Sequence, residues 1–132
     1  MYGDPTAIRR LASGLRELAG EIRAEADRLV SRTDAVGWFG QAGGALRDRV
    51  RDRALALRRS AALHDDAADA LERHAREVER LQRLIEEIER RVFRFVDAAR
   101  DKLDDWTAAW LQRFEPPPRG SRLWLEVEVP RR

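Results

Sequence analysis

The side chains able to do acid–base, nucleophilic or metal chemistry are few in this chain, and they are spaced poorly for it. There are two histidines, His64 and His74, and no cysteine. A histidine pair that shares a metal wants its ligands one turn apart and converging. Ten residues of helix separate these two by about 15 Å, so no metal site is expected. Ser13, Ser31, Ser60 and Ser121 lack the Gly-rich elbow that exposes a nucleophilic serine. Gly40-Gln41-Ala42-Gly43-Gly44 lacks the Lys-Ser/Thr pair of a phosphate-binding loop. Asp65, Asp66, Asp69 and Glu72 form an acidic run with no evident cleft, which reads as a solvated helix face. The chain is read as having no catalytic residues, no metal and no cofactor. The chemistry left to it is packing and surface recognition.

Composition agrees with that. Charged residues make up 38% and apolar residues 43% of 132 positions, with a net charge of +2. Such a Leu-, Ala-, Arg- and Glu-rich chain suits long helices. The excess charge comes from the end of the chain, where Arg119, Arg122, Arg131 and Arg132 face only Glu126 and Glu128. The rest interleaves Arg with Asp and Glu, without the clustered basic face that a nucleic-acid binder needs. Residues 1–5 do not read as a signal peptide. No stretch approaches the roughly 20 apolar residues of a membrane span.

Two elements must position whatever surface is used. Asp4 and Pro5 mark a helix start. Ile8, Leu11, Leu15, Leu18, Ile22 and Leu29 then recur at three- and four-residue steps, flanked every seventh residue by Ala12, Ala19 and Ala26. The small residues would let a second helix approach closely. This predicts a helix over 5–35 and a loop over 37–44. A second seven-residue series runs Val50, Leu57, His64, Leu71, Val78, Ile85, Val92, Ala99, Trp106, with no Gly or Pro between Gly44 and Pro116. It predicts one long helix over about 42–114. Its companions are Ala54, Ala61, Ala68 and Ala75 at first, and large residues later, so the packing partner changes near residues 75–80. His64 would set register as a polar residue on the stripe.

Length makes the change necessary. The first helix spans about 45 Å and the second about 105 Å if straight, so the first covers the second only to about Leu71. Val78, Leu81, Ile85, Ile88, Val92, Phe95, Leu103, Trp106 and Trp110 are left without cover, and such a stripe does not stay in water. Two coverings are open, a second chain or a fold-back as a third helix. The absence of any turn signal over 75–110 favours the second chain and a dimeric bundle. Residues 115–132 form a separate Pro-rich linker and tail. There Leu123, Leu125, Val127 and Val129 alternate with Trp124, Glu126 and Glu128, a strand pattern. A lone strand must add to a partner's sheet or pair with its own copy; otherwise this is a mobile tail.

Between the helices sit Trp38, Phe39 and Gly40, with Gly37 before and Gly43 and Gly44 after. Trp38-x-Gly40 at a helix corner resembles the W-x-G proteins, the ESX-type substrates and partners of type VII secretion systems. The likeness covers about residues 1–80. It implies an all-α antiparallel hairpin that pairs as a homodimer or heterodimer, with another hairpin protein or an effector's N-terminal domain. It further implies that Trp38 helps build a composite surface with the partner's helix C-terminus, and it makes a secretion ATPase a possible partner. The protein would be cytoplasmic before export and secreted without a cleaved leader. The chain departs from that family in two ways. The Y-x-x-x-D/E signal is absent, with Phe93-x-x-x-Asp97 as a possible substitute, and the second helix is some 30 residues too long. Trp38 and Phe39 also have a plainer role available, as a plug for the hairpin's open end. The competing reading of the whole chain is a cytoplasmic coiled-coil scaffold unrelated to secretion.

Overall fold

The computed structural model describes residues 2–37, 40–101 and 105–129. They are nearly all helical: α1 is Pro5–Val36, α2 is Gly40–Asp101, α3 is Asp105–Arg113, and a short 3-10 helix, η1, is Arg122–Glu126. Contacts divide the chain into two units, residues 6–75 and residues 1–5 with 76–132. α2 runs through both.

The first unit is the expected hairpin. Proline opens α1 at its first position, where a missing N–H costs nothing. Gly37 follows its last residue with φ +65°, the left-handed conformation in which a helix is readily ended. Gly40 begins α2 with φ +81°. Ion pairs fix the antiparallel register: Arg16 meets Asp69 at 2.6 Å and Glu72 at 3.0 Å, Arg23 meets Asp65 at 2.6 Å, and Arg58 meets Asp27 at 2.9 Å. That register brings Ala12 level with Ala75, Ala19 with Ala68, and Ala26 with Ala61. All six are buried, at 1% exposure or less. The helices therefore meet on alanine. Of the larger residues of α1, Leu11 and Leu18 are 63% and 43% exposed, and Ile8, Leu15, Ile22 and Leu29 are half-buried.

In the second unit the chain folds back. Fifteen residues of continuous helix would separate Phe95 from Trp110 by about 22 Å, yet their ring centroids lie 5.1 Å apart, edge to face. The single helix expected over 42–114 is thus two, α2 and α3, running in reversed directions. Trp110 stacks on Phe114 at 4.7 Å, and Phe114 lies 6.4 Å from Trp124. The buried core is Ile85, Val92 and Trp124, with Tyr2, Ile88, Val96, Leu125 and Val127 among the side chains packed against it. Val78 is also buried. This chain's own segments cover Val78, Ile85 and Val92, where the sequence pattern favoured a second chain.

The strand expected over 123–129 is corrected as well. Residues 122–126 form η1, and no strand occurs among the described residues. The cause is local. Ser121 caps η1 by accepting from the Leu123 N–H at 3.2 Å. Trp124 N–H donates to Ser121 O at 3.2 Å, and Val127 N–H to Trp124 O at 3.3 Å. Backbone groups with no neighbouring strand are satisfied within the turn. The alternation that looked like a strand drives Trp124 inward, to 1% exposure, and leaves Leu123 outside at 53%.

A hairpin closed on alanine has no room for larger side chains. Ala19→Leu or Ala68→Leu should cost about 1–3 kcal/mol by overpacking. Ala62→Leu, at an exposed position on α2, should stay within about 0.5 kcal/mol. Urea unfolding followed by circular dichroism measures both.

Candidate interaction surfaces

Three surfaces bear on recognition: the helix corner, the clasp around residues 78–92, and the flank of the hairpin. At the corner, Trp38 and Phe39 lie outside the described residues. Gly37 and Gly40, both left-handed, bracket them. A side chain at either glycine would be strained, so the corner's geometry demands its flanking residues.

The clasp ties the N-terminal segment and the tail to α2. Tyr2 N–H donates to Gly120 O at 2.9 Å. The Gln82 amide donates to Tyr2 O at 2.5 Å and to Gly3 O at 3.2 Å. Gly120 N–H donates to Glu89 Oε1 at 2.6 Å. Gly3 has φ +72°, and a Cβ there would run into a Val78 methyl. Trp124 Nε1–H donates to Pro118 O at 3.0 Å, satisfying the one polar atom of a buried ring. Glu89 is 7% exposed. Burying a carboxylate is costly unless it is hydrogen-bonded, and the Gly120 amide supplies a charge-assisted bond. Sequence reasoning passed over Gln82, and it read Glu89 only as the acid of a loose helical pattern with Ile85, Val92 and Val96, not as a backbone partner. The signal was present: they continue the series Ala54, Ala61, Ala68, Ala75 at the same seven-residue step. Where that series turns polar, the surface covering it changes from helix to exposed backbone amides and carbonyls.

Other residues singled out in the sequence divide among these surroundings. Leu81, Ile88, Phe95 and Trp110 are half-buried, as are Leu125, Val127 and Val129. Leu103 and the side chain of Trp106 lie outside the described residues. Phe93 is 48% exposed, with its ring 5.8 Å from Trp124, and Asp97 is exposed. The two are thus accessible on one face of α2, a turn apart.

The hairpin's two flanks differ in character. Four residues beyond an alanine of the seam lies about 40° round the helix to one side; three residues beyond lies about 60° to the other. The first flank carries the ions Arg16, Arg23, Arg58, Asp65 and Glu72. Hydrogen bonds from Arg16 hold the Asp69 carboxyl below its ordinary range, and Glu72 and then Asp69 push the Arg16 guanidinium still higher. These groups are exposed, so salt screens them and their contribution is small. The sign is defined: Asp69 stabilises the fold at neutral pH, and the effect is lost as pH falls through its depressed value, below the usual 3.8.

The second flank is apolar. Ile8, Leu15, Ile22 and Leu29 on α1, and Leu57 and Leu71 on α2, are all half-buried. His64 shares the α2 row. Its Nδ1 lies 2.6 Å from Ser60 O, so the ring N–H is donated within its own helix. No cluster of three or more His, Cys, Asp or Glu suited to a metal occurs among the described residues. Among them too, no helix is long and apolar enough to cross a membrane. No family model matches the chain, and no curated protein or solved structure matches it either.

The clasp should behave as one cooperative patch. Trp124→Ala is expected to cost about 3–5 kcal/mol and Glu89→Ala about 1–3 kcal/mol, through the orphaned Gly120 amide. Hydrogen exchange should show the loss of protection in residues 76–101 and 105–129. The α1 amides of the hairpin should keep theirs.

Proposed function

We propose that this chain is a W-x-G-type interaction protein of a type VII, ESX-like secretion system. It acts there as an exported substrate or as the dedicated partner and targeting chaperone of an effector. Its mode of action is helix-bundle pairing, with no catalytic step and no cofactor. The observation that carries the reading is the corner: a two-helix hairpin whose turn places Trp38-Phe39 between two left-handed glycines. In the family that the motif resembles, the aromatic of such a turn, here Trp38, serves a composite surface with the partner. The accessible pair Phe93 and Asp97 supports a role as substitute for the missing tyrosine signal. The protein is then cytoplasmic before export, meets a secretion ATPase, and leaves without a cleaved leader. A partner is another hairpin protein or an effector's N-terminal domain.

The competing reading, a cytoplasmic coiled-coil scaffold, makes Trp38 a plug with no role in transport. Trp38→Ala separates the two. In the host, the secretion reading expects the wild-type protein in culture filtrate only when the secretion ATPase is present. It expects the variant to be retained although its purified form keeps wild-type helicity and pairing. A cytoplasmic marker controls for lysis. Retention of both forms in the cell, with only a small stability loss in the variant, decides for the scaffold.

A further inference from the structure

We infer that residues 2–4 are a strap that latches the tail onto α2, and that strap and tail open together while the hairpin over residues 6–75 stays folded. The use of such a latch rests on the bundle-pairing reading. It closes the face of α2 at Val78, Ile85 and Val92 that the sequence pattern left for a partner. The chain's own ends occupy that face, so pairing there is governed by how often the latch opens. The place of the strap is specified by its residues. Gly3 is left-handed, with φ +72°, where the strap passes Val78, and a Cβ there would run into a Val78 methyl. The Gln82 amide donates to two successive carbonyls of the strap, those of Tyr2 and Gly3. A segment lying loosely on a helix needs neither a left-handed glycine at its closest approach nor a side-chain donor beneath its main chain.

Strap and tail are coupled through Gly120. Its carbonyl accepts from the Tyr2 N–H, and its own N–H donates to Glu89, so one residue of the tail is held from two sides. Tyr2 also packs against the core that Trp124 completes. Lifting the strap therefore removes a backbone partner of Gly120 and part of the packing around Trp124 together. Lifting the tail removes the acceptor of the Tyr2 N–H. Each loss weakens what holds the other segment, and segments held in this way open as one unit. The latch is made of chain ends: residues 2–4 and 114–121 form neither helix nor strand, and η1 has only five residues. Such segments open most readily. The hairpin has its own buried alanines and belongs to a separate compact unit, so opening the latch leaves the seam untouched.

Opening also changes Phe93. Its ring lies 5.8 Å from Trp124, and in the closed state it is 48% exposed. With the tail lifted, Phe93 is bared beside Asp97, and Ile85 and Val92 with it. A partner that reads this stretch of α2 then binds with an affinity set by the open fraction.

Hydrogen exchange of the purified full-length chain, perturbed at the strap and read at the tail, tests the latch. Gly3→Ala adds the Cβ for which Val78 leaves no room. Gln82→Ala removes the donor to the strap, in case Gly3→Ala loses its fold. Gly14→Ala, on α1 with open space around it, is the control. The amides of Gly120, Trp124 and Val127 are bonded in the closed state. In both strap variants they should exchange at least about tenfold faster than in the wild type. The dye anilinonaphthalene sulfonate, a probe of bared apolar surface, should bind the strap variants more than the wild type. The α1 amides from Ala12 to Ala26 should keep their wild-type rates, and Gly14→Ala should leave the tail amides unchanged. Tail amides that exchange at the wild-type rate in either folded strap variant overturn the inference, because the strap then lies beside the tail without holding it. Acceleration of the α1 amides by the same factor as the tail overturns it too, because the opening is then unfolding of the whole chain. Neither outcome touches the Trp38 export assay, so the secretion reading fails or stands separately.

Discussion

Two helices that meet on alanine can bring their backbones closer than helices that meet on leucine, and they must do so to gain anything from the contact. A methyl group buries little surface, about 0.8 kcal/mol's worth. The return comes from the many weak contacts made when two helical backbones lie together. Here the seam is Ala12, Ala19 and Ala26 against Ala61, Ala68 and Ala75, each sealed to within 1% exposure. Most of the hairpin follows from it. The series of seven fixes the rotation of each helix about its axis. That rotation turns Arg16 and Arg23 toward Asp65, Asp69 and Glu72 on one side and the Leu and Ile rows outward on the other. The exposed ions add little energy of their own; they lie along one side of the seam in the register that sets the alanines level.

Beyond Ala75 the same position of α2 changes chemistry. Gln82 and Glu89 replace alanine, and they bind main chain: the carbonyls of Tyr2 and Gly3 and the amide of Gly120. Extended segments lack a helix's internally satisfied backbone, so whatever covers a helix with them must supply donors and acceptors. A long amide and a carboxylate at the right spacing do this. Trp124 then fills the groove, with Ile85 and Val92 as its floor. One helix thus carries two kinds of packing, read from a single heptad position.

Much of this was legible in the residues. Pro5 and Gly37 bound α1, the alanine series predicted close approach, and the switch from small to large companions near residue 75 marks the division between the two units. The reversal between α2 and α3 was not legible, because neither Gly nor Pro marks it; it shows in the packing of Trp110 on Phe95, with Phe114 just beyond α3 stacked on Trp110. The tail misled for a related reason. Alternation in Leu123–Val129 is compatible with a strand only if a strand partner exists, and a serine cap with a buried tryptophan offered the backbone a local solution. Of the candidate surfaces, the corner glycines were readable. The open flank was not, since the leucines looked like the helix's core stripe and the alanines like its margin.

The hairpin stands on the alanine seam, and methyl-resolved NMR reads that seam pair by pair. In a sample carrying labelled methyl groups on alanine, leucine and isoleucine, the seam predicts nuclear Overhauser contacts linking Ala12 with Ala75, Ala19 with Ala68 and Ala26 with Ala61. If the cross-hairpin contacts instead join Leu15 and Ile22 of α1 to α2 while those alanine pairs are silent, the helices meet on their large residues. The placing of charged and apolar flanks argued from the seam would then be wrong.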